Sequence, residues 1–145
     1  GNLLCDLVNG SNHQVYERNI VKDDIYEIRK VISSWICNQD INVIISTGGT
    51  GVTGRDGTPE AVEVLFDKKI GGFGEIFRYL SFKKIKTSTI QSRTVAGVAN
   101  STYIFCLPGS PSACKDAWEG IIKNQLDSRN KPCNLIELMP RLLEK

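Results

Sequence analysis

Ile41-Asn42-Val43-Ile44-Ile45-Ser46-Thr47-Gly48-Gly49-Thr50-Gly51 decides the fold class. A short, continuously apolar run from Ile41 to Thr47 enters a glycine-rich turn, the pattern of a strand buried on both faces of a parallel sheet. Beyond the turn, Thr58-Pro59 reads as the N-cap and first position of a helix carrying Ala61, Val62, Leu65 and Phe66. On the upstream side Asp24 is a good N-cap with Glu27 three residues later. Ile25, Ile28, Ile32, Trp35 and Ile36 then recur at helical spacing, which predicts a helix to about Cys37.

Farther out the same alternation continues. Leu3 to Val8 reads as a helix closed by Asn9-Gly10, and His13 to Ile20 alternates as a strand does. Gly71 and Gly72 interrupt the chain before a helix expected over Gly74 to Phe82. Gln91 to Gly97 and Thr102 to Leu107 are strand candidates joined through an Ala99-Asn100-Ser101 hairpin. After the second of these, Ser110 can cap and Pro111 can open a helix through Ala117, Trp118, Ile121 and Ile122. The apolar tail from Leu135 to Leu143 can serve either core or interface. Strands alternating with helices predict a three-layer α/β/α sandwich around a mostly parallel central sheet.

The 145 residues fit one domain, taken as 1–145. A formal charge of +2, with Lys and Arg scattered rather than striped, argues against nucleic acid as partner. Five cysteines, odd in number and never in a Cys-x-x-Cys pair, fit neither a disulfide framework nor a zinc site. Most are expected to be small buried hydrophobes in a reducing compartment. His13 has no second histidine to join in a metal site. No apolar run approaches the ~18 residues of a membrane span and no signal peptide is visible, so the expectation is a cytoplasmic protein without membrane contact. The sequence opens at Gly1 with a helix already under way; an α/β domain normally begins with a strand, so the complete protein is expected to continue upstream.

Three constellations carry the chemistry. Thr47-Gly48-Gly49-Thr50-Gly51 follows the best strand, and ligands of open α/β sheets collect at the carboxyl ends of strands. Adjacent glycines let backbone N–H groups approach a phosphate, with Thr47 and Thr50 adding hydroxyls; a turn needed only for chain reversal is the plainer reading. Next come Arg55 and Asp56. A carboxylate beside a phosphate loop repels the anion unless a cation intervenes, so Asp56 suggests Mg²⁺; an Asx-turn before Thr58 is the alternative. Arg55 can neutralise phosphate or be solvated. Third, Pro108-Gly109-Ser110 is again strand, turn and helix N-terminus, a place for an anion or for a cap alone. Glu75 and Arg78, one helical step apart, follow the 71–74 glycines. Asp23 is left free by the Asp24 cap, for a task or for solvent.

These motifs resemble the MoaB/MogA family of molybdenum cofactor proteins over nearly the whole chain. The most specific segments are STGGTGVTGRDGTPEAV (Ser46 to Val62), GGFGEIFR (Gly71 to Arg78) and LPGSPSA (Leu107 to Ala113). TSTIQSRTVAGVAN (Thr87 to Asn100) and RNKPCN (Arg129 to Asn134) look closer to MoaB. The resemblance implies molybdopterin as ligand, a homotrimer that in MoaB-type proteins pairs into hexamers, and an adenylylation of molybdopterin by Mg-ATP. It places phosphate on Gly48 to Gly51 and makes Asp56 the essential acidic residue, holding Mg²⁺ or orienting the nucleophile. Asp23 matches a second acidic position, with Lys22 replacing the proline that often precedes it. Glu75, Arg78 and Ser81 would line the pterin side, and Gly109 and Ser110 the second anion loop. The family also begins with a strand and a Thr-Ser-Gly turn, of which only Gly1 could remain here. The intact Asp56 favours an enzyme; a molybdopterin carrier or a scaffold of the same pathway is the alternative.

Overall fold

Alternation along Thr102–Leu107 sets the layers. In the computed structural model, which describes residues 1–145, this strand is buried at every position. Tyr103, Phe105 and Leu107 point to one face, where they meet Ala96, Val98, Phe73 and Trp118. Ile104 and Cys106 point to the other, against Val95, Ala99, Ile32, Ala61 and Val62. A strand apolar from Tyr103 to Leu107 has to be covered on both sides, because successive side chains face opposite ways. The expected three-layer sandwich follows.

The elements are α1 (Asn2–Asn9), α2 (Ile25–Ile36), β1 (Val43–Thr47), α3 (Thr58–Val62), β2 (Lys68–Lys69), α4 (Gly71–Ile85), β3 (Val95–Ala99), β4 (Thr102–Leu107) and α5 (Pro111–Ala117). From α5 the chain passes through a π-helical turn, Trp118–Ile122, into α6 (Lys123–Gln125), and near the C-terminus forms α7 (Leu135–Leu138). Helices α1, α4 and α5 supply the core of the first face, α2 and α3 that of the second. The sheet order is β1-β4-β3-β2. It is mixed rather than mostly parallel: β1 runs parallel to β4, while β3 is antiparallel to both β4 and β2. The hairpin at Asn100-Ser101 dictates this. Both residues take positive φ, +46° and +67°, the twist a two-residue hairpin loop requires.

Ser101 is an L-residue in left-handed space without the side-chain amide that eases Asn100 into it. Ser101→Gly is therefore expected to stabilise the protein by about 0.5–1 kcal/mol, the relief of that φ less glycine's greater unfolded freedom. Thermal or denaturant melting measures it, and a variant no more stable than wild type would mean the turn stores no strain.

Several local expectations need correction. His13 to Ile20 forms no strand: it runs without a ladder partner, separated from β1 by a cavity of about 470 Å³. Gly71 and Gly72 do not interrupt a helix but begin α4, which reaches Ile85. Residues 91–94 stand outside the sheet, and Lys86–Gln91 coil instead as a 3-10 helix. Of the cysteines only Cys106 and Cys114 are buried, whereas Cys37 and Cys133 are exposed; all five are free. Burial pushes the Cys106 thiol up to about 11, keeping it neutral. The tail divides its labour: Leu135, Ile136, Met139 and Leu142 pack on the core while Leu138 and Leu143 stay exposed. No helix is long and apolar enough to cross a membrane.

Candidate phosphate-binding site

The parallel pairing of β1 with β4 carries the two glycine turns to the same end of the sheet, since Thr47 is in register with Leu107. There the turns touch. Thr47 Oγ1 donates to Pro108 O at 2.9 Å, Gly48 N donates to Leu107 O at 2.9 Å, and Gly109 packs on the Cα of Gly48. Ser110 acts as the cap of α5, its hydroxyl accepting from Ala113 N at 3.2 Å.

Between β1 and α3 the chain is irregular, so its carbonyls need partners from elsewhere. Four consecutive ones find them on one side. Gly48 O accepts from Thr58 Oγ1 and Gly49 O from Thr58 N, each at 3.0 Å. Thr50 O accepts from Arg93 N at 2.9 Å, and Gly51 O from Arg93 Nε at 2.7 Å. In a trans peptide the following N–H points opposite to the carbonyl. The N–H groups of Gly49, Thr50 and Val52 are thereby turned the other way without a protein acceptor, while that of Gly51 lies toward the Asp56 carboxylate. Such an array can receive an anion. Gly49 is required in it twice over: its φ is +67°, and a Cβ would stand 2.3 Å from Thr58 Oγ1. Thr58, expected as the helix cap, makes no capping bond, because its hydroxyl is committed to Gly48.

Asp56 closes one side. Thr53 donates to its Oδ2 from both N (2.9 Å) and Oγ1 (2.7 Å). The Thr53 hydroxyl bond first, and then the Thr53 amide, hold its carboxyl below the ordinary value, so it is anionic at neutral pH. Its carboxylate also lies against Gly51, where a Cβ would stand 2.7 Å from Oδ2. Both Thr53 bonds fall on Oδ2, and no side chain donates to Asp56 Oδ1. Arg55 reaches across to Asp23 at 3.2 Å, an exposed pair that brings the second acidic residue to the site.

Arg78 lies apart from this group, in a cavity of about 430 Å³ shared with Glu60, Arg93, Ser92 and the start of α4. Its guanidinium donates to Ser92 O at 3.4 Å. Glu75 and Ser81, grouped with it on the sequence, do not line that cavity: Glu75 is exposed and Ser81 is buried on the core side of α4. Two residues that organise the loop went unrecognised, Thr53 and Arg93. Thr53 sits three before Asp56, a spacing that local turn chemistry could have flagged. Arg93 offers no local signal, because it meets Gly51 and Asp56 only through the tertiary fold.

Residues 1–128 match the family model described as "Probable molybdopterin binding domain". The chain is 53% identical over 134 residues to molybdenum cofactor biosynthesis protein B of Escherichia coli K12, covering 92% of this chain and 79% of that protein. To the protein of the same name from Staphylococcus epidermidis it is 45% identical over 130 residues, covering 87% and 74%. Among solved structures, a crystal structure of molybdenum cofactor biosynthesis protein B superposes with a TM-score of 0.83 at 38% identity, covering 86% of this chain and 78% of that one. The tungsten cofactor synthesizing protein MoaB from Pyrococcus furiosus gives 0.75 at 35%, covering 83% and 76%.

Proposed function

We propose, from the premise that this chain belongs to the molybdopterin-binding domain family of molybdenum cofactor biosynthesis proteins, that it binds molybdopterin and adenylylates it with Mg-ATP. One observation carries the reading. Four successive loop carbonyls are tied to Thr58 and Arg93, which leaves a row of N–H donors beside the ionised Asp56. In the reaction, an oxygen of the pterin's terminal phosphate attacks the α-phosphorus of ATP. The bond from that phosphorus to the oxygen bridging toward the β-phosphorus breaks, and pyrophosphate leaves with its electron pair.

What the residues contribute is positioning and charge. The N–H groups of Gly49, Thr50 and Val52 hold phosphoryl oxygens through hydrogen bonds that strengthen as negative charge accumulates on them. Pro108-Gly109-Ser110, packed on the first turn, borders the same space. Arg78 supplies a cation from the neighbouring cavity. The donor set suits Mg²⁺, which is commonly held by one or two carboxylates with substrate phosphates completing its shell. Asp56, with Oδ1 facing no donor side chain, would hold it, while Asp23 is tied to the neighbouring Arg55. When bound, the ion neutralises phosphate charge.

Assembly into a homotrimer, or into a hexamer of two paired trimers, is part of this reading. It is supported by an outward apolar stripe on α4, where Ile76, Tyr79, Phe82 and Ile85 are about half exposed or more.

Pyrophosphate release on mixing the protein with molybdopterin and Mg-ATP tests the proposal directly. Stoichiometric or catalytic release, dependent on molybdopterin, is the expected result. Molybdopterin bound without release would make the protein a carrier, and no binding of either would leave an assembly role.

A further inference from the structure

Arg93 is a cation next to a cradle for anions, yet every nitrogen of its guanidinium is already spent on the protein. Nε donates to Gly51 O at 2.7 Å, Nη2 to Asp56 O at 2.9 Å, and Nη1 to the Glu60 carboxylate; its backbone N–H takes Thr50 O at 2.9 Å. One residue thus reaches both ends of the irregular stretch between β1 and α3. Its own mount is rigid. The next residue, Thr94, is 1% exposed and donates its hydroxyl to Cys106 O, in the middle of the sheet. Glu60, on α3, holds the guanidinium from the far side through both carboxylate oxygens.

Resting on the reading of the loop as a phosphate cradle, we propose that Arg93, clamped by Glu60, is a positioning residue that aims the Val52 amide and Asp56 at the bound phosphate, and is not itself a phosphate ligand. The geometry explains why the residue is arginine. A planar fork can serve Gly51 O, Asp56 O and a carboxylate at once, whereas an ammonium on a flexible stem has one nitrogen to place. With Arg93 removed, the carbonyls of Gly51 and Asp56 are unheld and their peptide planes are free to turn, which takes the N–H of Val52 and of Gly57 with them.

The test uses inorganic tripolyphosphate with Mg²⁺ as probe, titrated into the wild-type protein, Arg93→Lys and Glu60→Gln, with amide resonances of Gly49 to Val52 followed by NMR and melting monitored in parallel. Wild type binds and shifts those amides. Arg93→Lys, which keeps the charge, is expected to bind about ten-fold or more weakly while still folded, the loss of hydrogen bonds worth roughly a kcal/mol or two. Glu60→Gln, which leaves both backbone ties in place, is expected to bind several-fold more weakly and serves if the lysine variant does not fold. Wild-type affinity in Arg93→Lys would mean that charge alone matters and would overturn the positioning role while leaving the cradle intact. Unchanged affinity in Glu60→Gln would remove Glu60 from it. Failure of the wild-type protein to bind tripolyphosphate would overturn the cradle itself, and the role of Arg93 with it.

Discussion

Asp56→Asn is expected to lower pyrophosphate release by roughly a hundred-fold or more, the scale on which single groups that stabilise transition-state charge act. The substitution keeps size and shape, so Thr53 can still donate to an amide oxygen in the place of Oδ2. That orientation puts the amide –NH₂ where Oδ1 stands, replacing the lone pairs offered to a ligand by donors. A neutral side chain also gives up the charge that the Thr53 bonds keep on the carboxylate. Melting temperature should hardly change, because the residue lies at the surface of the loop rather than in either apolar cluster. Release measured under saturating molybdopterin and Mg-ATP decides the matter. A variant that turns over at the wild-type rate would take Asp56 out of the reaction altogether.

Phe105→Ala carries the largest expected cost to stability, about 3–5 kcal/mol. Phe105 is 2% exposed at the centre of β4, and its ring meets that of Phe73 edge-on at 5.1 Å between centroids. Strands on both sides of β4 fix the backbone at this point, so the cavity cannot close by moving it. With total stabilities of 5–15 kcal/mol for ordinary domains, the loss is a large fraction, and the midpoint should fall by about 10 °C or more. Denaturant titration gives the free energy. A change under about 1 kcal/mol would show that α4, which carries Phe73, repacks over the gap.

What the sequence disclosed and what it hid follow from the range of the interactions. Asp24 and Ser110 as caps, the helical spacing of Ile25 to Ile36, and the 99–101 turn are all settled within a few residues, and the structure has them. The glycine turn after β1 was visible for the same reason. His13 to Ile20 alternates correctly but a strand exists only against a neighbour, and periodicity says nothing about whether one is present. Glycines 71 and 72 read as a break because their helix propensity is poor; at the first turn of α4 that cost is accepted, with Phe73 and Phe77 holding the helix on the core. Arg93 reaches Gly51 across 42 residues, and the Thr58 hydroxyl turns back ten residues to Gly48 instead of capping its helix; no spacing rule encodes either.

The β3–β4 hairpin and the β1–β4 pairing also differ in how much chain must be drawn in before they can form. Ala99 and Thr102 are joined through two residues, whereas Val43 meets Tyr103 across roughly sixty. Closing the longer loop costs about 2–3 kcal/mol more in chain entropy, with nothing gained until the strands align. The hairpin can therefore serve as an early nucleus, while β1 docks late onto a surface already made. Substitutions in β1 should then register mainly in the unfolding rate, and those at the hairpin in the folding rate. The turn at the end of β1, which holds the glycines, is correspondingly among the last parts of the molecule to take shape on folding.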